Sequence, residues 1–191
     1  MSSIILHRLL PAFAVMLLLT FAAGCSSTPE TVQGGHPTSS ADDGKVLARL
    51  LSTDSAEVAV GRYALDHLSD SKVKDYALSL IVNHQRDYDH ATALESDQSI
   101  AMVKMGAYKT RQQVDQAIRV LNSAGEGNSY DVAYLRMQIN DQGKAIDALT
   151  KMQPSAANDQ VREELSNLLP MMKKDLDRGK TLLKDLGENK G

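Results

Sequence analysis

The clearest structural pattern of this chain lies in the stretch AEVAVGRYALDHLSDSKVKDYALSLIVNHQRDYDHATAL, residues 56–94. On both sides of Ser69-Asp70-Ser71, apolar residues recur every three or four positions, which is the spacing of one face of an α-helix. The short polar side chains at this break can accept hydrogen bonds from the free amides at the start of a helix. The stretch therefore predicts two helices joined by a tight turn.

The same period continues on both sides of this stretch. Four long helices that each carry one apolar stripe bury those stripes most simply as an antiparallel four-helix bundle. A shorter helix falls in the long middle connection, and Pro170 inside the last helix predicts a kink because proline lacks an amide hydrogen. The predicted helices span 43–68, 71–96, 111–123 (the short one), 129–152 and 159–186.

Composition narrows the possible functions. The chain has no tryptophan, and 4% of its residues are aromatic, so Leu, Ala, Val, Ile and Met must form the core, as is typical of helical proteins. The formal net charge of −3 gives no reason to expect nucleic-acid binding, which depends on neutralising phosphates with Lys and Arg. No phosphate loop and no nucleophilic serine motif is present, so we do not expect an enzyme.

The amino end predicts export. Residues 9–24 are apolar apart from Thr20 and carry no charge, and they are shorter than the ~20 residues that a membrane-spanning helix needs. A short apolar run that follows a basic lead and ends in small residues is typical of a secretory signal. We therefore interpret residues 1–24 as a signal peptide.

Cys25, the only cysteine, follows this run directly. The sequence AAGC at 22–25 resembles the bacterial lipoprotein processing box, in which the cysteine becomes the first mature residue and carries lipid, including palmitate. With Ser26 next, the resemblance implies anchoring in the outer membrane of a Gram-negative bacterium, with the domain in the periplasm. The alternative is a buried free cysteine in an uncleaved anchor. Residues 25–42 are rich in Ser, Thr, Pro and Gly, which predicts a disordered tether before a folded domain at 43–187.

Three stretches together resemble a known family. They are residues 56–94, YDVAYLRMQINDQGKAI (130–146) and LPMMKKDLDRGKTLL (169–183), and the resemblance extends over about 45–185. The family comprises outer-membrane proteins catalogued as a domain of unknown function, family 4142, and it is grouped with ferritin-like bundles. The resemblance therefore implies a ferritin-like bundle.

Some polar positions carry this resemblance and others depart from it. Family members tend to have the same residue as this chain at the positions of Glu57, His84, Asp131 and Tyr134. Members also tend to have histidine where this chain has Gln142 and Asp175. If those histidines bind a metal in relatives, the site is altered here, because glutamine is a poor metal ligand.

Polar residues on the predicted core-facing stripes leave two interpretations open. A buried carboxylate is costly unless it is paired or binds a cation. One interpretation is a ferritin-like site for iron, manganese or zinc. The other is a structural layer of histidine and carboxylates that fixes the helix register, and with it we expect no cofactor. The metal ligands would be Glu57, His84, Asp131 and Asp175; the buried polar layer would contain Asp54, Glu57, His84, Asp141 and Asp175.

These observations predict a non-enzymatic binding or structural module held at the membrane by its lipid. Its partner would be another envelope protein or a component of the cell wall. The alternative function is a metal-binding or redox module that uses the carboxylates and the single histidine of the bundle core.

Overall fold

The computed structural model describes residues 41–101 and 107–188, which form helices and connections without a strand. The signal segment, Cys25 and nearly all of the predicted tether lie outside the described residues. None of the described helices combines the length and the apolar composition that crossing a membrane requires. The elements are α1 (Ala41–Leu65), α2 (Ser71–Asp97), α3 (Ala107–Ser123), α4 (Asn128–Met152), a short 3₁₀ helix (Gln153–Ser155) and α5 (Asp159–Glu188).

The predicted all-α fold is confirmed, and each helix lies within about one turn of its predicted bounds. The predicted cap before α2 is also present. Asp70 accepts hydrogen bonds from the amides of Lys72 and Val73, at 2.8 and 3.1 Å. Asn158 caps α5 in the same way, because its side chain accepts from the amides of Gln160 and Val161. These caps satisfy amides that have no partner inside the helix.

The buried apolar residues form two separate clusters. The first cluster comprises Val46, Leu47, Leu50, Ala91, Ile100, Ala145, Ile146, Leu149, Ala156, Val161, Leu165, Leu168, Leu169 and Met172. The second cluster comprises Val60, Ala64, Leu68, Val73, Tyr76, Ala77, Leu80, Leu121, Tyr130, Tyr134, Leu135, Leu182 and Leu186.

The order of the clusters along each helix gives the direction of the chain. Along α1 and α5 the first cluster comes before the second, whereas along α2 and α4 the second comes before the first. Two hydrogen bonds align α3 with α1 in the same direction. Ser52 Oγ lies 2.9 Å from Thr110 Oγ1, and Tyr63 donates to Asn122 Oδ1 at 3.0 Å, eleven or twelve residues further along both helices.

A polar belt separates the two clusters on all four long helices. On each helix its residues fall between the positions that join the first cluster and those that join the second. We define the polar belt as Asp54 and Glu57 on α1, His84 and Asp87 on α2, Gln138, Asp141 and Gln142 on α4, and Asp175 on α5. The middle of the fold therefore carries a layer of polar side chains between the two apolar clusters.

Candidate functional site

A histidine–aspartate pair lies at the centre of the polar belt. His84 Nδ1 is 2.8 Å from Asp54 Oδ1, and the two residues are 4% and 3% exposed. Burial raises the pKa of Asp54, although the hydrogen bond with His84 opposes the change. Burial alone would lower the pKa of His84, but the hydrogen bond with Asp54 and the nearby charge of Glu57 raise it overall. Asp54, one of the carboxylates expected in the buried polar layer, is therefore the direct partner of this histidine.

Glu57 lies beside this pair and is half-buried. Burial raises the pKa of Glu57, while the charge of His84 and a hydrogen bond with Gln138 act in the opposite direction. The side chain of Gln138 is itself buried. Glu57 therefore connects the interior of the belt with the outer surface of α1 and α4.

Several buried polar atoms in and beside the belt have no hydrogen-bond partner among the described residues. A buried polar atom without a partner costs about 1–3 kcal/mol, and in proteins such atoms usually pair with buried water. These atoms are Asp54 Oδ2, Gln138 Oε1, Gln142 Oε1 and the hydroxyl oxygen of Tyr134. The first three can only accept a hydrogen bond, whereas the hydroxyl can also donate one.

Asp131 lies away from the belt. Its carboxylate accepts hydrogen bonds from the amides of Ser69 and Asp70, at 2.8 and 2.9 Å, and from the hydroxyl of Ser69. Asp141, which is in the belt, follows it by ten residues, or about 15 Å along a helix. Asp131 therefore fixes the start of α4 to the turn between α1 and α2.

Asp175 and Asp141 lie at the margins of the belt, and both are half-buried. Asp175 accepts a hydrogen bond from Asn83 Nδ2 at 2.9 Å, and its backbone carbonyl accepts one from the hydroxyl of Tyr76. Asp141 accepts from Asn140 at 2.7 Å and lies 3.9 Å from Lys144 Nζ. Each of these carboxylates thus has partners of its own.

The structure does not gather the four predicted metal ligands at one point. Glu57 and His84 interact electrostatically, but Asp131 binds the α1–α2 turn and Asp175 binds Asn83. In the described part of the chain, no three His, Cys, Asp or Glu side chains are arranged so that they could hold a metal ion.

Sequence reasoning missed a groove of about 960 Å³ between α1, α3 and α4. Glu57 and Gln138 contribute to its lining, so the groove reaches the polar belt. Apolar side chains of α3 form one wall, and the cations Arg49, Arg136 and Lys144 also line it. The apolar face of α3 was visible in the sequence, but its placement beside α1 was not.

Neither Arg49 nor Arg136 forms an ion pair with any described residue, whereas Lys144 lies 3.9 Å from Asp141. Arg49 differs from Arg136 in that its Nε is buried without a hydrogen-bond partner among the described residues. An unpaired guanidinium facing a groove is suited to bind an anion, because its planar N–H groups match carboxylate and phosphate oxygens.

The comparison with known families gives one match. The model of a family described as a domain of unknown function (DUF4142) matches residues 28–182, which include α1 to α4 and most of α5. No curated protein and no solved structure matches the chain.

Proposed function

We propose a non-enzymatic binding function for this chain, which belongs to the DUF4142 family. In this function the groove between α1, α3 and α4 holds the ligand. The observation that carries this proposal is the groove itself. Its volume of about 960 Å³ falls within the usual range for small-molecule sites, which are mostly apolar with a few polar groups. Its lining is more polar than that of most such sites, because ten charged or amide side chains and two hydroxyl side chains accompany eight apolar residues, three of which lie on α3.

We further infer that the helices form an antiparallel four-helix bundle of the ferritin-like type. The order of the apolar clusters supports this arrangement, because α1 and α5 run in one direction and α2 and α4 in the other. The direction of α3 supports it as well, since this helix returns the chain along α1 between α2 and α4.

The proposal includes a position in the cell envelope. A signal at 1–24, lipid on Cys25 and the polar tether would hold the domain at the periplasmic side of an outer membrane. The ligand or partner would then be a component of the envelope or the cell wall. The lipoprotein resemblance of the sequence around Cys25 supports this address.

The test compares a blocked groove with an unblocked one in the full-length protein. Ala117→Trp places an indole in the groove, and Ala59→Trp places the same group on the exposed side of α1. A ligand that binds only the folded state raises the unfolding midpoint. We expect a low-molecular-weight extract of bacterial envelopes to raise Tm for the parent and for Ala59→Trp but not for Ala117→Trp. A rise of equal size in all three proteins, or in none, would contradict the proposal.

A further inference from the structure

The two ends of the groove have linings of different polarity. The directions of its three helices determine which residues meet at each end. The hydrogen bonds of Ser52 with Thr110 and of Tyr63 with Asn122 place the early parts of α1 and α3 side by side. The order of the clusters shows that α4 runs in the opposite direction. The end of the groove near the first cluster is therefore formed by the early residues of α1 and α3 and the late residues of α4.

The lining at this end is polar and cationic. Lys144 on α4 lies there together with Arg49, whose Nε has no partner among the described residues. The carboxylate of Asp141 lies 3.9 Å from Lys144 Nζ and neutralises part of its positive charge. The positive charge of Arg49 has no such neighbour among the ion pairs of the described residues. The polar end comprises Arg49, Ser52, Thr53, Gln112, Gln113, Asp141 and Lys144.

The lining at the other end is mainly apolar. Val120 remains 50% exposed there, which leaves apolar surface that a ligand chain could cover. Arg136 is the charged residue at this end, and Gln116 is also part of the lining there. The apolar side chains are Val60, Val114, Ala117, Val120, Ala133 and Met137.

Between the two ends lies Glu57, the carboxyl group that reaches the polar belt. Burial raises its pKa, which reduces the negative charge that it presents to an anion in the groove. From Arg49 to Val60 the groove follows α1 over eleven residues, or about 16 Å at the rise of an α-helix.

We propose that the groove binds a single-chain amphiphilic anion, with the acidic head group at Arg49 and the aliphatic chain along Val60, Ala117 and Val120. This inference rests on the proposed function, because it names the ligand class of the same groove. Charge complementarity selects an anionic head, and the extended apolar lining selects one acyl chain rather than a compact molecule.

The experiment uses the full-length chain with Cys25→Ser, so that no lipid attached at residue 25 competes for the groove. Calorimetry measures the binding of dodecanoate below its micelle concentration. Dodecyltrimethylammonium provides the same chain with a cationic head, and acetate provides the head group without the chain. We expect dodecanoate to bind at least about tenfold more tightly than either. It exceeds the cationic amphiphile because one charge-assisted hydrogen bond is worth about 1.5–3 kcal/mol, and it exceeds acetate because its chain buries apolar surface. Lysophosphatidylglycerol with the same dodecanoyl chain distinguishes a free carboxylate from a lipid phosphate. Tighter binding than dodecanoate would identify the lipid phosphate as the natural head group.

Matched variants locate the two halves of the ligand. Arg49→Gln removes the charge at the polar end and should weaken dodecanoate binding about tenfold or more, whereas Arg62→Gln, on the same helix outside the groove, should not. Ala117→Trp should abolish binding, and Ala59→Trp should preserve it. Equal affinity for the anionic and cationic amphiphiles, or an unchanged affinity in Arg49→Gln, would overturn the inference.

The outcomes separate this inference from the function on which it rests. If dodecanoate and lysophosphatidylglycerol do not bind, but the envelope extract stabilises the parent and not Ala117→Trp, the amphiphile assignment is wrong and the binding function stands. If neither the amphiphiles nor the extract has an effect, both proposals are wrong.

Discussion

Asp131 and Asp54 are equally hidden from solvent but differ in how they are held. Asp131 is 1% exposed, and both of its carboxylate oxygens accept hydrogen bonds from the turn between α1 and α2. Asp54 is 3% exposed; one oxygen meets His84, and the other has no partner among the described residues. Burial is therefore fully compensated at the end of the helices and only partly compensated in the polar belt.

The opposite end of the fold repeats the compensated arrangement. Asp43, near the start of α1, accepts hydrogen bonds from the amides of Ala157 and Asn158 at 2.9 and 3.2 Å. Each end thus has a buried carboxylate that binds the backbone before another helix. Unsatisfied polar groups in native proteins are expected at functional sites. Two of those found here, Arg49 Nε and Gln138 Oε1, belong to residues that line the groove.

The largest expected effect comes from removing the compensated carboxylate. Asp131→Ala leaves two backbone amides and a hydroxyl of the α1–α2 turn without their acceptor, so we expect a loss of about 3 kcal/mol in the free energy of unfolding. Asp54→Asn should cost only about 1 kcal/mol, because the asparagine can still bond to His84 and one oxygen site is already unpaired. Urea unfolding of the full-length proteins measures both. Equal losses would mean that the belt is as well compensated as the ends.

The belt should also make stability depend on pH. The pKa values of Asp54, Glu57 and His84 are all raised in the folded protein. The folded state then binds more protons than the unfolded chain above the ordinary carboxyl pKa of about 4, and the His84 contribution is lost as pH rises past about 6.5. The free energy of unfolding should fall as pH rises from 5 to 8, by up to about 1.4 kcal/mol per pH unit for each additional bound proton.

The double variant Asp54→Asn, His84→Gln tests this pH dependence, measured by urea unfolding at several pH values. It should flatten the slope, whereas Leu121→Ala removes stability from the second cluster without a titrating group and should keep the slope of the parent. A slope that is unchanged in the double variant would assign the pH dependence to other groups, of which Glu164 is one because burial raises its pKa as well.

The smallest expected effect distinguishes two buried tyrosines, Tyr76 and Tyr134, both fully inaccessible. The hydroxyl of Tyr76 donates to the carbonyl of Asp175 at 3.1 Å, so Tyr76→Phe should cost about 1 kcal/mol. The hydroxyl of Tyr134 has no partner among the described residues, so Tyr134→Phe should be neutral or stabilising. Thermal unfolding of both variants provides the comparison. A clear loss for Tyr134→Phe would show that this hydroxyl has a partner such as bound water.

The helices could be predicted because their signals are local. A repeating apolar stripe and the polar triplet Ser69-Asp70-Ser71 depend only on nearby residues. The observed cap is also local, because Asp70 accepts hydrogen bonds from amides of the helix that follows it directly. Asn158, directly before α5, caps that helix by a hydrogen bond of the same local kind. Local chemistry of this kind does not depend on how the helices pack.

The site could be predicted only in part, because it depends on which residues meet. Asp54 and His84 were expected on core-facing stripes, but their direct hydrogen bond joins residues thirty positions apart. The burial of Gln138 was missed, since a glutamine between apolar positions usually faces solvent. The family resemblance suggested Asp131 as a possible metal ligand. Its hydrogen bond to the α1–α2 turn could not be predicted without knowing where α4 begins.

The attachment of α3 has a consequence for local opening. Among its described side chains, this helix contributes only Leu121 to the fully buried part of the second cluster and none to the first, while α1, α2, α4 and α5 contribute to both. Segments with few buried contacts open at lower free energy than the rest of a protein. Backbone amides of α3 should therefore exchange with deuterium before those of its neighbours. The wall that α3 forms could then separate from α1 and let a bulky ligand enter the groove while both apolar clusters remain intact.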